Sequence, residues 1–202
     1  VCLVTTFTFP NITPTTNTLE LVSNTRTYQS PLTNAIQTAS RKGSLWKASL
    51  QFKNLNGDDR QEMQAFLVKL NGQQHRFTLQ DHSFTPRGAG GGTLRVNGAS
   101  QSGTTLVCDG ATASVNNYLR AGDQISFNNE LHMVVADASS DASTNISLSI
   151  APPIRKTPAD NTIVDYSVPV VGVFMLAGPA SWNTRVGIFS DFNIEAVEDV
   201  LA

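Results

Sequence analysis

Residues 44–81, SLWKASLQFKNLNGDDRQEMQAFLVKLNGQQHRFTLQD, decide the fold, because the spacing of hydrophobic residues changes twice within them. In the first part Trp46, Leu50 and Phe52 alternate with polar residues. This period of two predicts a strand with one buried face and one solvent face. The last part, RFTLQD, alternates again and predicts a return to strand.

Between these strands the hydrophobic residues recur with the spacing of one helical face. They are Met63, Phe66, Leu67 and Leu70. Asn56 or Asp58 can cap the start of this helix, and the Asn71-Gly72 pair supplies its left-handed end. A helix this short is marginal alone, so we expect its apolar stripe to pack on the sheet on either side.

Composition favours a β-rich protein that is not built to bind polyanions. The chain has 202 residues, of which 15% are charged, and a formal net charge of −2. Uncharged polar residues are abundant, as in proteins with many strands and turns. The charge gives no electrostatic reason to expect specific nucleic-acid binding or attachment to an anionic membrane. Length alone leaves one large domain or two small ones open.

The start of the sequence, VCLVTTFTFP, predicts a strand rather than a signal peptide, because it is short and lacks a basic segment. No apolar run approaches the roughly 20 residues of a membrane span, so we expect a soluble protein. Cys2 and Cys108 have neither zinc nor redox spacing. One disulfide between them is open, and two idle thiols are favoured.

A block of short strands separated by turns occupies residues 86–156. Its strand-like runs are TLRVNG, TTLVCDG, DQISFNN, LHMVVAD and NISLSI. FNNELHMVV predicts a hairpin, and Pro152 and Pro153 predict the end of strand pairing. The number and spacing of these strands are typical of a small barrel or sandwich.

Strand patterns resume after this block, and in the last one Ile188, Phe192 and Ile194 share a face. We therefore predict a mainly β fold in two domains. Residues 1–85 and 157–202 form a β-sandwich that holds the helix, and residues 86–156 form an inserted small β-barrel. The predicted core consists of Trp46, Leu50, Phe52, Met63, Phe66, Leu67, Leu70, Phe77, Leu79, Ile188, Phe192 and Ile194.

No residue pattern predicts catalysis, a cofactor or a metal. The glycine-rich RGAGGGTLRVNG, residues 87–98, lacks the Gly-Lys-Ser/Thr and the helix of a phosphate loop, which favours a flexible domain junction. His75, His82 and His132 show no metal spacing and are expected to be solvated or at the edge of the core. A glycosidase carboxylate pair would leave little sequence trace, yet no motif supports an enzyme.

Trp182 is the candidate ligand contact. It lies in the turn-like GPASWNTR, where a sugar-stacking role and a packing role are equally favoured. Trp46 lies on the apolar face of its strand, which favours packing. A carbohydrate-binding module is therefore the second functional hypothesis.

The order of parts resembles the distal tail protein of long, flexible-tailed bacteriophages. The residues that carry the resemblance are AFLVKL (65–70), RFTLQD (76–81), AGDQISF (121–127), LHMVVAD (131–137) and ISLSIAPPIR (146–155). The resemblance covers most of the chain from Leu45 onward. The order and spacing of these motifs carry the resemblance.

The resemblance implies a non-enzymatic structural role in the virion. Such proteins form a ring, usually of six copies, at the end of the tail tube, with an outward inserted domain that is often an oligonucleotide/oligosaccharide-binding-like barrel. The implied partners are further copies of the chain, the tail tube protein and the tip or baseplate hub, which serves host attachment. Assembly would occur in the host cytoplasm, and the ring would leave a channel for the genome.

The segment NTRTYQSPLTNAIQTASRKG, residues 24–43, departs from the resemblance. It is either an arm that reaches a neighbouring subunit or a solvated loop. In the first case Arg26, Arg41 and Lys42 are the candidate ring contacts.

Overall fold

The structure is a computed structural model that describes residues 3–41, 43–185 and 189–200. Within these ranges the fold is mainly β with one α-helix, which confirms the predicted fold class. Lys42 and Ile188, for which the sequence predicts a contact and a core position, lie outside the described residues. Described strands and helix follow in chain order: β1 (Thr6–Thr8), β2 (Thr16–Val22), β3 (Thr25–Gln29), β4 (Ile36–Ser40), β5 (Leu45–Leu55), α1 (Gly57–Lys69), β6 (Arg76–Gln80), β7 (Gly92–Val96), β8 (Gly103–Ala111), β9 (Gln124–Phe127), β10 (Glu130–Val134), β11 (Ile146–Ile154), β12 (Val170–Leu176), β13 (Ser181–Arg185) and β14 (Phe189–Glu198).

The strand β5 forms the centre of the first sheet. It pairs antiparallel with β2 on one side and with β14 on the other. Trp46, Leu50 and Phe52 are buried, while Lys47 and Gln51 between them are exposed, so the period-two pattern places one face in the core. The strand β12 pairs antiparallel with the end of β14 and with β6, and β6 pairs in parallel with β1.

The helix α1 packs its predicted stripe into this core. The ring of Phe66 meets Phe9 and Phe77 edge-on, with centroids 5.1 and 5.7 Å apart. Asn56 is the N-cap residue, but its side chain makes no capping hydrogen bond. Asn71 and Gly72 follow the helix with φ of 48° and 65°, the left-handed end that the sequence predicts.

Two clusters of buried hydrophobic residues divide the chain. The first draws on residues 9–79 and 171–196 together with Leu131, and the second on residues 94–164. We call residues 3–85 and 168–200 the first unit and residues 86–167 the second unit. The predicted core residues that the structure describes all lie in the first cluster: Trp46, Leu50, Phe52, Met63, Phe66, Leu67, Leu70, Phe77, Leu79, Phe192 and Ile194.

The second unit contains five strands in the order β9–β10–β11–β8–β7. The predicted hairpin joins β9 to β10 through Asn128 and Asn129, whose φ values of 51° and 59° fit a two-residue turn of the primed type. Cys108 lies in this core as a free thiol, and burial raises its pKa to about 12. Cys2 lies outside the described residues.

Residues 164 and 165 link β7 and β9, the two outer strands of the second unit. The Val164 N–H donates to the Leu94 carbonyl of β7 at 2.9 Å, and Asp165 exchanges two hydrogen bonds with Ser126 of β9. The strands and this segment thus form a circuit of hydrogen bonds around the second cluster. The predicted exit at residue 157 is therefore too early, because Val164 packs in the second cluster. The oligonucleotide-binding-like topology stays a prediction.

The paired prolines do not end their strand. β11 continues through Pro152 and Pro153 to Ile154, and its pairing with β8 shifts register between Ser149 and Ile154. A proline removes one backbone donor, so it interrupts the ladder locally without changing the extended direction of the chain. The prediction that the two prolines end strand pairing is wrong, because Ile154 pairs with Gly103 beyond them.

The start of the second unit is held by a buried carboxylate. Asp123 accepts hydrogen bonds from the backbone N–H groups of Arg87, Gly88 and Arg120 at 2.8–3.0 Å. A Cβ at Gly88 would lie 2.2 Å from the Tyr118 carbonyl oxygen, so this close approach requires glycine. The entry to the glycine-rich segment is therefore a fixed connection rather than a free junction.

Candidate assembly surface

The strands β3 and β4 form a hairpin that stands off the body of the protein. They pair antiparallel from Thr25–Ser40 to Gln29–Ile36 and join no other strand of the described chain. The hairpin prolongs the β2–β5 pair, since Val22 faces Leu45 and the Arg41 N–H donates to the Asn24 carbonyl at 2.9 Å. Five extended residues per strand and a turn give it a length on the order of 20 Å. We call residues 25–40 the arm.

The arm exposes large apolar side chains. Tyr28, Leu32 and Ile36 are 54%, 93% and 66% exposed. Covering each of them would contribute about 1.5–3 kcal/mol. Arg26 and Arg41 are exposed as well, and the sequence from 23 to 43 contains no acidic residue. The structure thus places two of the three predicted contact residues on or beside the arm.

Sequence reasoning missed that this segment is a β-hairpin. Its strands TRTYQ and IQTAS carry no inward hydrophobic face, because the described side chains of β3 are all exposed. The available signal was local: Thr, Tyr and Ile favour strands, and the SPLTN between the two runs contains turn residues. Asn34 in that turn has a φ of 54°.

The first sheet presents two open edges. Within the described chain β2 pairs only with β5, and β13 pairs only with β14, so the order β2–β5–β14–β13 ends in a strand edge on both sides. Each successive pair is antiparallel, so β2 and β13 run in opposite directions. Neither strand contains proline or glycine. Such edges are ready to pair with another strand.

The solvent face of this sheet is concave and polar. Three adjoining depressions of about 170, 250 and 400 Å³ share Ser181, Asn193 and Glu195 along their borders. The cross-strand register places uncharged polar side chains on this face, such as Ser49, Gln51 and Asn193, together with about as many charged side chains of both signs. Asp191 is one of these charges, and the Asn54 N–H at 2.9 Å and the Arg185 guanidinium hold its pKa below the ordinary value.

Trp182 does not project onto that polar face. It lies directly opposite Phe192 in the β13–β14 pair, so both side chains point to the same side of the sheet. Phe192 is buried, and the two ring centroids are 6.2 Å apart. The indole therefore covers the rim of the first cluster, and 40% of Trp182 remains exposed. A role in carbohydrate binding stays a prediction.

A second group of polar residues is buried where the two units meet. Arg155 of the second unit makes two hydrogen bonds with the carboxylate of Glu198 of the first unit, one of them at 3.0 Å. Its Nε lies 3.6 Å from Glu130 Oε1, and its Nη1 donates to the Ser44 carbonyl at 2.7 Å. All three charged side chains are at most 8% exposed. We call Glu130, Arg155 and Glu198 the ionic junction.

The ionic junction shifts the pKa values of Arg155 and Glu130. Burial alone would lower the pKa of Arg155, but the hydrogen bonds and charge of Glu198 raise it. Burial alone would raise the pKa of Glu130, but the adjacent His132 ring and the Arg155 charge hold it below the ordinary value. His132 is completely buried and stacks on Phe127 with centroids 4.6 Å apart, so its predicted place at the core edge is wrong.

His75, another histidine expected to be solvated or at the core edge, makes structural contacts. His75 Nδ1 accepts from the Thr5 N–H at 3.2 Å, and its ring meets Phe7 edge-on.

No group of three or more His, Cys, Asp or Glu among the described residues is arranged to hold a metal ion. In the same part of the chain no helix combines the length and hydropathy needed to cross a bilayer. Comparison of the sequence with protein-family models and with curated proteins finds no match.

Proposed function

We propose that this chain is a structural protein of a bacteriophage virion that associates with further copies of itself into a ring at the distal end of the tail. The ring, of six copies by resemblance, joins the tail tube to the tip or baseplate hub and leaves a channel through which DNA passes. The proposal starts from the sequence resemblance. The structural observation that carries it is the pair of open edges, β2 and β13, on the two sides of the β2–β5–β14–β13 part of the sheet.

These two edges fit each other in direction. Because β2 and β13 run in opposite directions, β13 of one copy placed beside β2 of the next continues the antiparallel alternation. Such a contact uses two different surfaces, so it is head-to-tail and closes into a ring when the rotation per copy divides a full turn. Polar side chains along the sheet suit a broad, hydrated contact.

The arm supplies a second contact. Its apolar side chains are uncovered in the single chain, and burying Tyr28, Leu32 and Ile36 together would contribute on the order of 5–9 kcal/mol before the cost of ordering. The arm carries Arg26, Arg41 follows it directly, and residues 23–43 contain no acidic residue, which favours a docking site with acidic residues on the neighbouring copy. The neighbouring tail proteins then dock on the assembled ring rather than on a monomer.

The proposal is tested by the assembly state of the purified protein. We expect electron microscopy to show rings with a central hole and analytical ultracentrifugation to give a mass several times the 21.7 kDa of one chain. If rings need a partner for nucleation, the tail tube protein is added. A chain that stays monomeric at high concentration, with and without that partner, contradicts the proposal.

Variants separate the arm from general surface hydrophobicity. Tyr28→Ser, Leu32→Ser and Ile36→Ser together should abolish rings and leave a folded monomer, because the substitutions remove only exposed side chains. The matched control replaces three apolar residues of similar exposure outside the arm. These are Val135, Ile163 and Val168, each changed to Ser. The control should assemble like the unmodified protein. If it fails to assemble, the loss of rings is not specific to the arm.

A further inference from the structure

The two units share little backbone pairing. Between β10 of the second unit and β12 of the first, the register contains a single pair, Glu130 with Gly172. A ladder of several pairs fixes the angle between two strands, whereas one pair leaves rotation about that point open. Leu131 packs in the first cluster, and single hydrogen bonds such as Gln124 Nε2 to Asp81 at 2.8 Å also join the units. A group that contacts both units in several directions is needed to define how the second unit stands on the first sheet.

The ionic junction lies at that point. Glu130 occupies the single backbone pair, and Glu198 lies close to Gly172, where a Cβ would be 3.1 Å from Glu198 Oε1. The Glu198 carboxylate also accepts from the Trp46 N–H at 2.8 Å. The guanidinium of Arg155 in the second unit thus donates to two groups of the first unit, the Ser44 carbonyl and Glu198.

Because the guanidinium is planar and its donors point in fixed directions, these contacts restrict the orientation of one unit relative to the other. Its planar fork faces Glu198 with both terminal nitrogens, while Nε faces Glu130 on another side. The backbone N–H groups of Arg155 and Lys156 donate back to Glu130, which ties that carboxylate to the chain leaving β11. A rotation of the second unit would break several of these contacts at once.

We propose that the ionic junction is an orienting joint, which sets the angle of the second unit on the first sheet rather than the stability of either core. Buried ion pairs are weak stabilisers, because the cost of removing charges from water offsets their attraction. Neutral side chains of similar volume can therefore leave both cores folded. Without the charges, the angle between the two units should vary over a wider range. This inference does not depend on ring assembly or on a phage origin.

The test measures a distance between the units in the full-length chain. Spin labels are attached at Gln61→Cys on α1 and Thr105→Cys on β8, both exposed positions, in a Cys2→Ser background. Cys108 is buried with a pKa of about 12 and stays unlabelled. Dilution with unlabelled protein removes distances between copies. The unmodified junction should give one narrow distance distribution.

The decisive variant neutralises the junction with Glu130→Gln, Arg155→Met and Glu198→Gln. We expect its distance distribution to become at least twice as wide while the circular dichroism of folded protein persists. The control is Arg185→Met, which removes an exposed ion pair away from the junction and should leave the width unchanged. An equally narrow distribution in the neutral variant overturns the proposal. Loss of folding overturns it as well, because the junction would then be a determinant of stability.

Discussion

Replacing Phe77 with alanine tests the packing of the first cluster. The ring is fully buried, and its centroid lies 5.6 Å from Phe9, 5.7 Å from Phe66 and 6.2 Å from Phe174. Loss of burial contributes about 1.5–3 kcal/mol, and the cavity and lost aromatic contacts bring the expected cost to about 4 kcal/mol. Since domains of this size are stable by only about 5–15 kcal/mol, the effect is large.

Equilibrium unfolding in urea measures this cost. With a slope of about 2 kcal/mol per molar urea, the midpoint of the transition that reports the first unit should fall by about 2 M. The matched control is Phe189→Ala, since Phe189 is 39% exposed and should cost only about 1 kcal/mol. Equal losses for the two variants would refute the placement of Phe77 at the centre of the core.

Three other changes test buried polar groups. Asp123→Asn should lower the free energy of unfolding by about 2–4 kcal/mol, because one oxygen that accepts from backbone N–H groups is replaced by an NH2 group, which is a donor; a loss below about 0.5 kcal/mol in urea unfolding would contradict this clamp. The folded-state pKa of Glu130 is lowered, so its ionised form adds a contribution to stability, small beside that of either core, that disappears as the pH falls through that value. Between about pH 7 and about pH 3, the unmodified chain should therefore lose more stability than Glu130→Gln, and equal slopes would exclude the contribution. Cys108 should react with a thiol reagent at about pH 8 only after unfolding, and rapid labelling of folded protein would show access to its core.

Where a hydrophobic pattern has a clear period, it predicted the local structure. The alternation through Trp46 and Phe52 and the helical stripe through Met63 and Leu70 both appear as buried faces. The arm was not predicted as strands, since a two-stranded ribbon without a buried face leaves no hydrophobic period. Each strand of the arm is extended because it pairs with the other strand, and a local sequence pattern does not show that pairing.

The ionic junction was also missed, although one of its members left a trace. Glu198 continues the inward series of Phe192, Ile194 and Ala196 at period two, so an acidic residue falls on the buried face of β14. Its partner Arg155 is 43 positions away and lies beyond a pair of prolines. A sequence shows that a buried charge needs a counter-ion, but it does not show which cation the fold brings there.

The order in which the two units can fold during synthesis follows from their places in the sequence. Residues 86–167 are continuous, so the second unit can fold before β12 and β14 are synthesised, whereas the first sheet must wait for both. The early closure of the second unit draws residues 85 and 168 together. This shortens the effective loop that β12 must cross to find β6, and so lowers the entropy cost of completing the first sheet.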